Sequence, residues 1–232
     1  MNVSFILPVR NEKEYIADVL HSILHQKALN DYEIIFSDGS SDDGTLELIN
    51  VFLSDFPNLK LIHNPNKIVS SGFNLALNEA KGDIIIRVDG HCELPPNYVE
   101  KCIELLHKQD AYIVGGRIAT ISKGIVGKAI AKAQSSWFGV GGVKFRSTKY
   151  KRGGYVESLA FGVHRRELFA DIGGYDEQMI CNQDDEFNFR AIQAGKKIWM
   201  DPTIKIKYYS RSSFSNLFKQ YFNYGCFKVR GI

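Results

Sequence analysis

The first 120 residues alternate short apolar runs with amphipathic stretches, and this rhythm restricts the possible fold more than any other feature. The apolar runs are too short for buried helices and predict strands over residues 3–9, 32–36, 59–63, 83–88 and 111–117. The intervening stretches predict helices over residues 43–53, 70–80 and 95–107, and Asn11 with Glu14 predicts a capping box before the first helix. Strands that alternate with helices favour a Rossmann-like α/β fold, with a mainly parallel sheet and helices on both faces.

The rhythm breaks after residue 120, where we expect a C-terminal lobe. The patterns predict helices over 125–137 and 184–194, strands near 156–163, 198 and 204–209, and an aromatic helix over 214–224. The segment 139–154 is rich in glycine and basic residues, and we expect it to be the most mobile part because few apolar residues anchor it. The chain stops directly after the aromatic helix, so we expect the protein to continue beyond residue 232, where a membrane anchor could follow.

The net charge of +3 conceals two halves of opposite sign. Residues 1–120 contain 10 Lys and Arg against 17 Asp and Glu, a net −7, which leaves +10 for residues 121–232. Carboxylates in the first half suit a metal ion, and cations in the second half suit a phosphorylated or anionic partner. Because 44% of the 232 residues are hydrophobic, the chain can bury a core, and an intrinsically disordered protein is excluded.

The cysteines and the apolar runs indicate the cellular compartment of the protein. Four cysteines without a CxxC pair or the density of a disulfide scaffold indicate a reducing environment. The N-terminal segment lacks the basic leader of a signal peptide, and no run approaches the roughly 18–20 apolar residues that span a bilayer. We therefore expect a cytoplasmic protein that is peripheral to, or anchored at, the inner face of the cell membrane.

Polar residues follow three of the predicted strands at the point where each strand ends. Arg10, Asn11 and Glu12 come after the first strand, Asp38 after the second, and the segment Asp89-Gly90-His91 after the fourth. In an open parallel sheet the ligand lies beyond the carboxyl ends of the strands. These side chains are therefore expected to meet at one edge of the sheet.

Alternatives stay open for the acidic positions of this edge. Asp38 is either a turn residue before a helix capped by Asp43, or the acceptor of a hydrogen bond from a base edge such as the N3–H of uracil. Asp89 and His91, separated by a glycine, form either a turn or a pair that chelates a divalent ion from one side. An imidazole in place of a second carboxylate favours Mn²⁺ over Mg²⁺.

A further acidic cluster lies in the C-terminal half. Asp184 and Asp185 begin a predicted helix, where the helix dipole favours carboxylates as caps. Adjacent carboxylates also repel each other, which raises the pKa of at least one of them. A raised pKa suits a general base that takes a proton from an acceptor hydroxyl. Further along the chain, Arg211 belongs either to a phosphate clamp or to an amphipathic helix that packs on the domain or on a membrane.

These motifs together resemble those of the family-2 glycosyltransferases with the GT-A fold, in particular the bacterial succinoglycan-type exopolysaccharide enzymes. The resemblance rests on residues 8–12, 88–92 and 220–225 and covers nearly the whole chain. It implies that residues 1–120 form a nucleotide-sugar-binding subdomain. Residues 121–232 would form the acceptor-binding and catalytic-base part of the same domain.

The resemblance also implies roles for individual residues. The implied donor site consists of Pro8, Val9, Arg10, Asn11, Glu12, Asp38, Ser71, Gly72, Arg87, Asp89, Gly90 and Arg211. Asp89 and His91 stand where the family has an Asp-x-Asp metal motif. Gln183-Asp184 stands where it has Glu-Asp, so Asp184 is the implied base. The Gln-x-x-Arg-Trp motif of processive members is absent, which implies single additions.

The implied activity is the metal-dependent, inverting transfer of one sugar from a nucleotide-sugar, above all a UDP-sugar, in polysaccharide biosynthesis. The implied acceptor is a hydroxyl of a glycan or of a lipid-diphosphate-linked sugar. Because Gln183 and His91 depart from the family pattern, the alternative is a catalytically inactive nucleotide-sugar-binding protein. We expect no nucleic-acid partner, because the aromatic residues of the basic half do not interleave with its cations as in a stacking platform.

Overall fold

The computed structural model describes residues 1–27, 30–122, 124–134, 144–147, 149–210, 217–218, 221–222 and 225. Within these residues the strands are β1 Val3–Val9, β2 Tyr32–Asp38, β3 Leu59–His63, β4 Ile84–Arg87, β5 Cys92–Glu93, β6 Ile113–Ile121, β7 Gly154–Tyr155, β8 Val163–Arg165 and β9 Ile198–Tyr209. The helices are α1 Ile16–Leu24, α2 Thr45–Asp55, α3 Val69–Glu79, α4 Tyr98–Lys108, α5 Gly124–Gln134, α6 Arg166–Ile172 and α7 Gln183–Gln193, with a 3-10 helix at Lys144–Arg146. None of these helices combines the length and the apolar character that a bilayer crossing needs.

All the strands belong to one sheet in the order β3-β2-β1-β4-β8-β6-β9-β5, with β7 also paired to β9. β1 is parallel to β2 and β4, and β2 is parallel to β3. β8 runs antiparallel to β4 and β6, whereas β6 and β9 are parallel. The predicted α/β fold is confirmed: its N-terminal half is the parallel, alternating part, and the strands that follow make the rest of the sheet mixed.

The apolar runs form the centre of this sheet because both of their faces are covered. All seven residues of β1 and all four of β4 are buried. A strand that is buried on both faces carries a continuous apolar run rather than an alternating pattern, which explains the short runs in the sequence. α1 packs against the core with Ile16, Val19, Leu20 and Ile23, which recur at spacings of three and four residues.

The strand order reverses between β1 and β4. From β1 the chain adds β2 and then β3 on one side, and then crosses to place β4 on the other side. In an open α/β sheet the loops separate at such a point and leave a crevice outside the carboxyl ends of the strands. The loops after β1, β2 and β4 border this crevice. Together with the last residues of these strands, they contain most of the residues predicted to bind a donor.

Several predicted boundaries are wrong. α1 begins at Ile16 and has no side-chain cap, so Asn11 and Glu14 do not form the expected capping box. The strand predicted over 156–163 is absent between β7 and β8. Its buried apolar residues, Val156, Leu159 and Phe161, are irregularly spaced, whereas a strand needs a period of two. The strands predicted near 198 and 204–209 are one strand, β9, whose register against β6 shifts once.

Two parts of the basic segment 139–154 pack against the domain, whereas the mobility of the segment stays a prediction. Phe145 in the 3-10 helix is buried in the main core, and Gly154–Tyr155 pairs with β9. The Phe145 side chain therefore places the 3-10 helix against the core. Residues 139–143 and 148, and most of the helix predicted over 214–224, lie outside the described residues.

The register shift in β9 depends on the absence of a side chain at Gly116. A Cβ at this position would lie 2.4 Å from the carbonyl oxygen of Ile204. We expect Gly116→Ala to lower the free energy of unfolding by about 1–3 kcal/mol, the usual cost of overpacking, as measured by urea denaturation. Gly154→Ala is the control, because a Cβ there meets nothing within 4 Å. Equal stability of the two variants would contradict this packing.

Candidate active site

The loops that follow β1 and β2 are tied to each other by hydrogen bonds. The backbone N–H of Asn11 donates to Ser41 Oγ at 2.9 Å, and its side chain exchanges bonds of 2.8 and 3.0 Å with Asp42. The backbone N–H of Glu12 donates to Thr45 Oγ1 at 2.9 Å, at the start of α2. Asn11 has a φ of 58°, a left-handed conformation that asparagine tolerates better than most residues. Asn11 therefore fixes the turn by which the chain leaves β1.

Asp38 ends β2 and is buried, with 2% of its surface exposed. Its carboxylate accepts hydrogen bonds from the backbone N–H of Ser41, at 3.0 Å, and from the Ser41 hydroxyl. These contacts belong to a strand-to-helix turn, and the contact with uracil stays a prediction. The exposed side chain of Arg10 passes beside Gly39, where a Cβ would lie 3.4 Å from it. The aliphatic part of the Arg10 side chain therefore packs beside Gly39, the residue that follows the buried Asp38.

Gly90 allows the Glu12 side chain to reach His91. Oε1 of Glu12 lies 3.0 Å from Nδ1 of His91, and a Cβ on Gly90 would lie 2.6 Å from Glu12 Cγ. The carboxylate thus holds the imidazole by one ring nitrogen, as carboxylates hold metal-binding histidines. Across the described part of the chain, no group of three or more His, Cys, Asp or Glu side chains is arranged to hold a metal ion.

Arg87, the last residue of β4, connects this rim to the C-terminal acidic cluster. Its buried guanidinium donates from Nε and Nη2 to Asp89 Oδ1, at 3.1 and 2.9 Å. Its Nη1 donates to Asp184 Oδ1 at the start of α7. The rings of Phe161 and Tyr175 flank the guanidinium, with centroids at 5.8 and 5.5 Å. One buried cation therefore pairs with two carboxylates that are far apart in the sequence.

The surroundings of Asp184 shift its protonation equilibrium. Burial raises the pKa of Asp184 and the Asp89 carboxylate raises it further, while the Arg87 guanidinium and a 3.0 Å hydrogen bond from the Tyr175 hydroxyl oppose the rise. Burial lowers the pKa of Arg87, but the two carboxylates outweigh burial and hold it above its usual range. A carboxylate with a raised pKa is a stronger base than an ordinary aspartate.

Tyr175 was not among the predicted site residues. Its ring packs against Phe73 and Phe187, with centroids at 4.4 and 5.1 Å, so its hydroxyl is fixed toward Asp184. The sequence signal for Tyr175 is weak, since it lies in a short Gly-Gly-Tyr segment several residues before the acidic cluster.

Phe161 is a second residue that sequence reasoning missed. It covers Arg87 from a left-handed backbone, with φ of 59°, which is rare for an aromatic residue. The Tyr98 hydroxyl donates to the Phe161 carbonyl at 2.6 Å and helps to hold this turn. No spacing rule points to such a position, because the strain is imposed by tertiary packing.

Arg146 brings a cation of the basic segment to the same region. Its guanidinium lies 5.6 Å from the centroid of the Tyr208 ring, which in turn contacts the His91 ring with centroids 4.8 Å apart. One aromatic ring therefore separates Arg146 from His91. Arg211, which was predicted to contact phosphate, lies outside the described residues.

Other predicted residues lie beside the crevice with their side chains engaged elsewhere. The Ser71 hydroxyl donates to Asn64 Oδ1 at 2.8 Å, and Gly72 packs so closely that a Cβ would lie 2.8 Å from Asn64 Nδ2. Asp185 is exposed and accepts a hydrogen bond from the Ser158 hydroxyl, not from Arg87. Pro8 and Val9 are buried at the end of β1.

Comparison with known proteins decides the family. The family model described as "Glycosyl transferase family 2" matches residues 4–173, well over half of the chain. The chain belongs to glycosyltransferase family 2. The matched range contains the crevice loops with Asp38, Arg87, Asp89 and His91, and α7 with Asp184 follows it.

Two relatives cover nearly all of this family-2 chain. "Succinoglycan biosynthesis protein ExoA" of Rhizobium meliloti (strain 1021) is 33% identical over 227 residues, which are 95% of this chain and 67% of the relative. A "Dolichyl N-acetyl-alpha-D-glucosaminyl phosphate 3-beta-D-2,3-diacetamido-2,3-dideoxy-beta-D-glucuronosyltransferase" of Methanococcus voltae is 30% identical over 235 residues, 97% of this chain and 72% of the relative. Both likenesses agree with the family assignment.

Solved structures of S. aureus TarS 1–349 share the fold. The complex with UDP-GlcNAc has a TM-score of 0.69 at 16% identity, over 92% of this chain and 60% of that chain. The complex with UDP has a TM-score of 0.68 at 16% identity, over 94% of this chain and 63% of that chain. This family-2 chain therefore spans less than two thirds of the TarS chain. The predicted GT-A fold is confirmed.

Removing the charge of Arg87 tests the carboxylate–guanidinium cluster. We expect Arg87→Met to lower the free energy of unfolding by about 3 kcal/mol at pH 7, the low end of the range for breaking a buried pair, because it leaves two partly buried carboxylates unpaired. Without the guanidinium the pKa of Asp184 rises further above its value in the unfolded chain. The loss of stability should therefore shrink as the pH falls and Asp184 becomes protonated. Urea denaturation at pH 7 and pH 5 measures both effects.

Arg165→Met provides the control for this experiment. The Arg165 guanidinium donates to the carbonyl oxygens of Ala111 and Leu106, both at 2.9 Å, which do not titrate. Its ion pair with Glu167 is long, at 3.9 Å, and exposed, so this pair contributes little to stability at either pH. Its substitution should destabilise the chain by nearly the same amount at both pH values. A pH-independent loss in Arg87→Met as well would contradict the charge pairing.

Proposed function

We propose that the chain transfers one sugar from a nucleotide-sugar to a hydroxyl group, with inversion at the anomeric carbon. The observation that carries this proposal is the Arg87 cluster, in which Asp184 and Asp89 share one buried guanidinium. It couples a carboxylate with a raised pKa to the rim of a nucleotide-type crevice. A proton acceptor and a candidate donor site thus border the same space.

In this proposal the donor is a UDP-sugar. The buried carboxylate of Asp38 would accept a hydrogen bond from the uracil N3–H, and the exposed Arg10 beside it would contact the nucleotide. Structures of TarS with UDP and with UDP-GlcNAc, which share this fold, support the choice of nucleotide. Residues 1–120 would then be the donor part of the domain, and residues 121–232 the part that holds the base and the acceptor.

Asp184 would act as the general base. Its carboxylate takes the proton of the acceptor hydroxyl as that oxygen forms a bond to the anomeric carbon. The bond from the anomeric carbon to the diphosphate oxygen breaks on the opposite side, which inverts the configuration. The raised pKa of Asp184 suits this role, and Tyr175 and Arg87 hold its Oδ1 in place. Asp185 would support the helix start through Ser158.

A divalent cation, with Mn²⁺ favoured over Mg²⁺, would be held by Asp89 and His91. Both contacts from Arg87 fall on Oδ1 of Asp89, and Glu12 orients the His91 ring through Nδ1. A carboxylate and an oriented imidazole are a suitable pair of protein ligands when phosphate oxygens complete the set. When bound, the ion would neutralise charge on the diphosphate. Arg146, one ring away from His91, would add positive charge to the leaving-group side.

The acceptor in this proposal is a glycan or a lipid-diphosphate-linked sugar. The names of the two relatives, one in succinoglycan biosynthesis and one acting on a dolichyl-linked sugar phosphate, support this class. A lipid-linked acceptor would place the reaction at the cytoplasmic face of the membrane. Asp184 is present at the position of the proposed base and is paired with Arg87, which disfavours a catalytically inactive binding protein.

Substitution of the base separates catalysis from binding. We expect Asp184→Asn to lower the transfer rate about 10²–10⁴-fold, the usual contribution of a general base. Calorimetry should show that UDP binding is retained. Asp185→Asn is the matched control, since it removes the neighbouring carboxylate, and should keep the rate within about tenfold of wild type. Equal rates in wild type and Asp184→Asn would remove the base from this mechanism.

The metal pair is tested without measuring transfer. Calorimetric titration of UDP with and without Mn²⁺ should show at least a tenfold gain in affinity from the ion in the wild-type chain. His91→Ala and Asp89→Asn should lose most of this gain because each removes one ligand. His21→Ala, which changes an exposed histidine of α1, should keep it. A full gain in His91→Ala would show that His91 is not a ligand.

A further inference from the structure

A cavity lies beside β6 and β9, away from the crevice at the ends of β1, β2 and β4. It has a volume of about 330 Å³ and is lined by Arg117, Tyr150, Lys151, Pro202, Thr203 and Lys205. Three of these residues are cations and none is acidic, whereas carboxylates dominate the candidate active site. The lining is therefore suited to an anion.

The cavity and the candidate active site lie on opposite faces of β9. Successive side chains of a strand point to opposite faces, and Ile206 is buried while Lys205 is exposed. Tyr208, whose ring contacts the active-site histidine, shares the face of Ile206. Arg117 is the β6 partner of Lys205, and neighbouring partners in a sheet share a face. A ligand of this cavity therefore does not occupy the crevice.

The charges of the cavity are not neutralised by the described part of the chain. Arg117, Lys151 and Lys205 take part in none of the ion pairs found there. Nε of Arg117 is buried and has no hydrogen-bond partner among the described residues. The neighbouring carboxylate of Asp201 accepts hydrogen bonds from the backbone N–H and the hydroxyl of Thr203, at 2.8 and 2.7 Å. A partly buried, unpaired guanidinium is unfavourable unless a ligand supplies the opposite charge.

We propose that this cavity binds a phosphate group. A guanidinium presents a planar fork of donors that matches two phosphate oxygens, and Lys151 and Lys205 add mobile positive charge at the mouth. Tyr150 contributes a hydroxyl donor. The phosphate comes from a lipid headgroup or from a soluble phosphate ester, which present the same chemistry. The site is separate from the proposed transfer reaction, because it lies on the other face of β9.

Pyrophosphate is the probe for a calorimetric test with the whole chain. EDTA is present, so that no divalent ion promotes binding in the crevice. Lys151→Gln combined with Lys205→Gln removes two exposed charges without touching the core, and we expect it to weaken pyrophosphate binding at least tenfold. Arg117→Gln alone is expected to weaken it by a similar factor, with the thermal midpoint as a check on folding.

Lys60→Gln combined with Lys81→Gln is the matched control. Both lysines are exposed, and Lys60 lies on β3 at the opposite edge of the sheet. This variant has the same net charge as the double variant in the cavity and should bind pyrophosphate like the wild type. Unchanged binding in the cavity variant, or an equal loss in the control, would overturn the proposal.

Vesicle flotation distinguishes the two sources of phosphate. The wild type and both double variants are mixed with vesicles of phosphatidylcholine alone or with added phosphatidylglycerol. Loss of binding to the anionic vesicles in the cavity variant, together with loss of pyrophosphate binding, identifies a lipid headgroup as the ligand. Loss of pyrophosphate binding with unchanged vesicle binding identifies a soluble phosphate ester.

Discussion

The buried guanidinium of Arg87 is the interaction on which the arrangement of the site depends. An isolated buried charge costs several kcal/mol, so Arg87 is tolerated at the end of β4 only because Asp89 and Asp184 both pair with it. The two carboxylates would repel each other without it. The cluster thereby joins the parallel half of the sheet to α7, which enters the chain almost a hundred residues later. Folding of the second half is a condition for a complete site.

Strained backbone is concentrated around the crevice. Among the described residues, six non-glycine residues have positive φ, and Asn11, Ser40, Phe161 and Asn182 are in or next to the loops that border the site. Such conformations persist only where the surrounding contacts determine them. The bonds between the loops after β1 and β2, and the Glu12–His91 contact, provide those constraints. These contacts tie the loops of the rim to one another without a ligand.

The sequence alone predicts the strands and helices whose patterns are local. Continuous apolar runs predicted β1 to β4 within a few residues, and strand-end polar residues such as Asp38 and Asp89 were placed on one edge correctly. Tertiary contacts decided the rest. β5 has two residues and no pattern of its own. Phe161, whose ring covers Arg87, has a left-handed backbone within the segment where a strand was predicted. No periodicity encodes the fact that Arg87 pairs with two acidic segments.

The register shift of β9 has a consequence for how this chain tolerates changes in length. A one-residue slip in a regular strand would exchange its two faces, and would move Lys205 to the interior and Tyr208 to the outside. The irregular residues around Ile204 separate the first half of β9 from the second, so each half keeps its own alignment with β6. An inserted or deleted residue among these irregular residues leaves both alignments unchanged. Elsewhere along β9 an added residue either forms a new bulge or exchanges the faces of the residues beyond it.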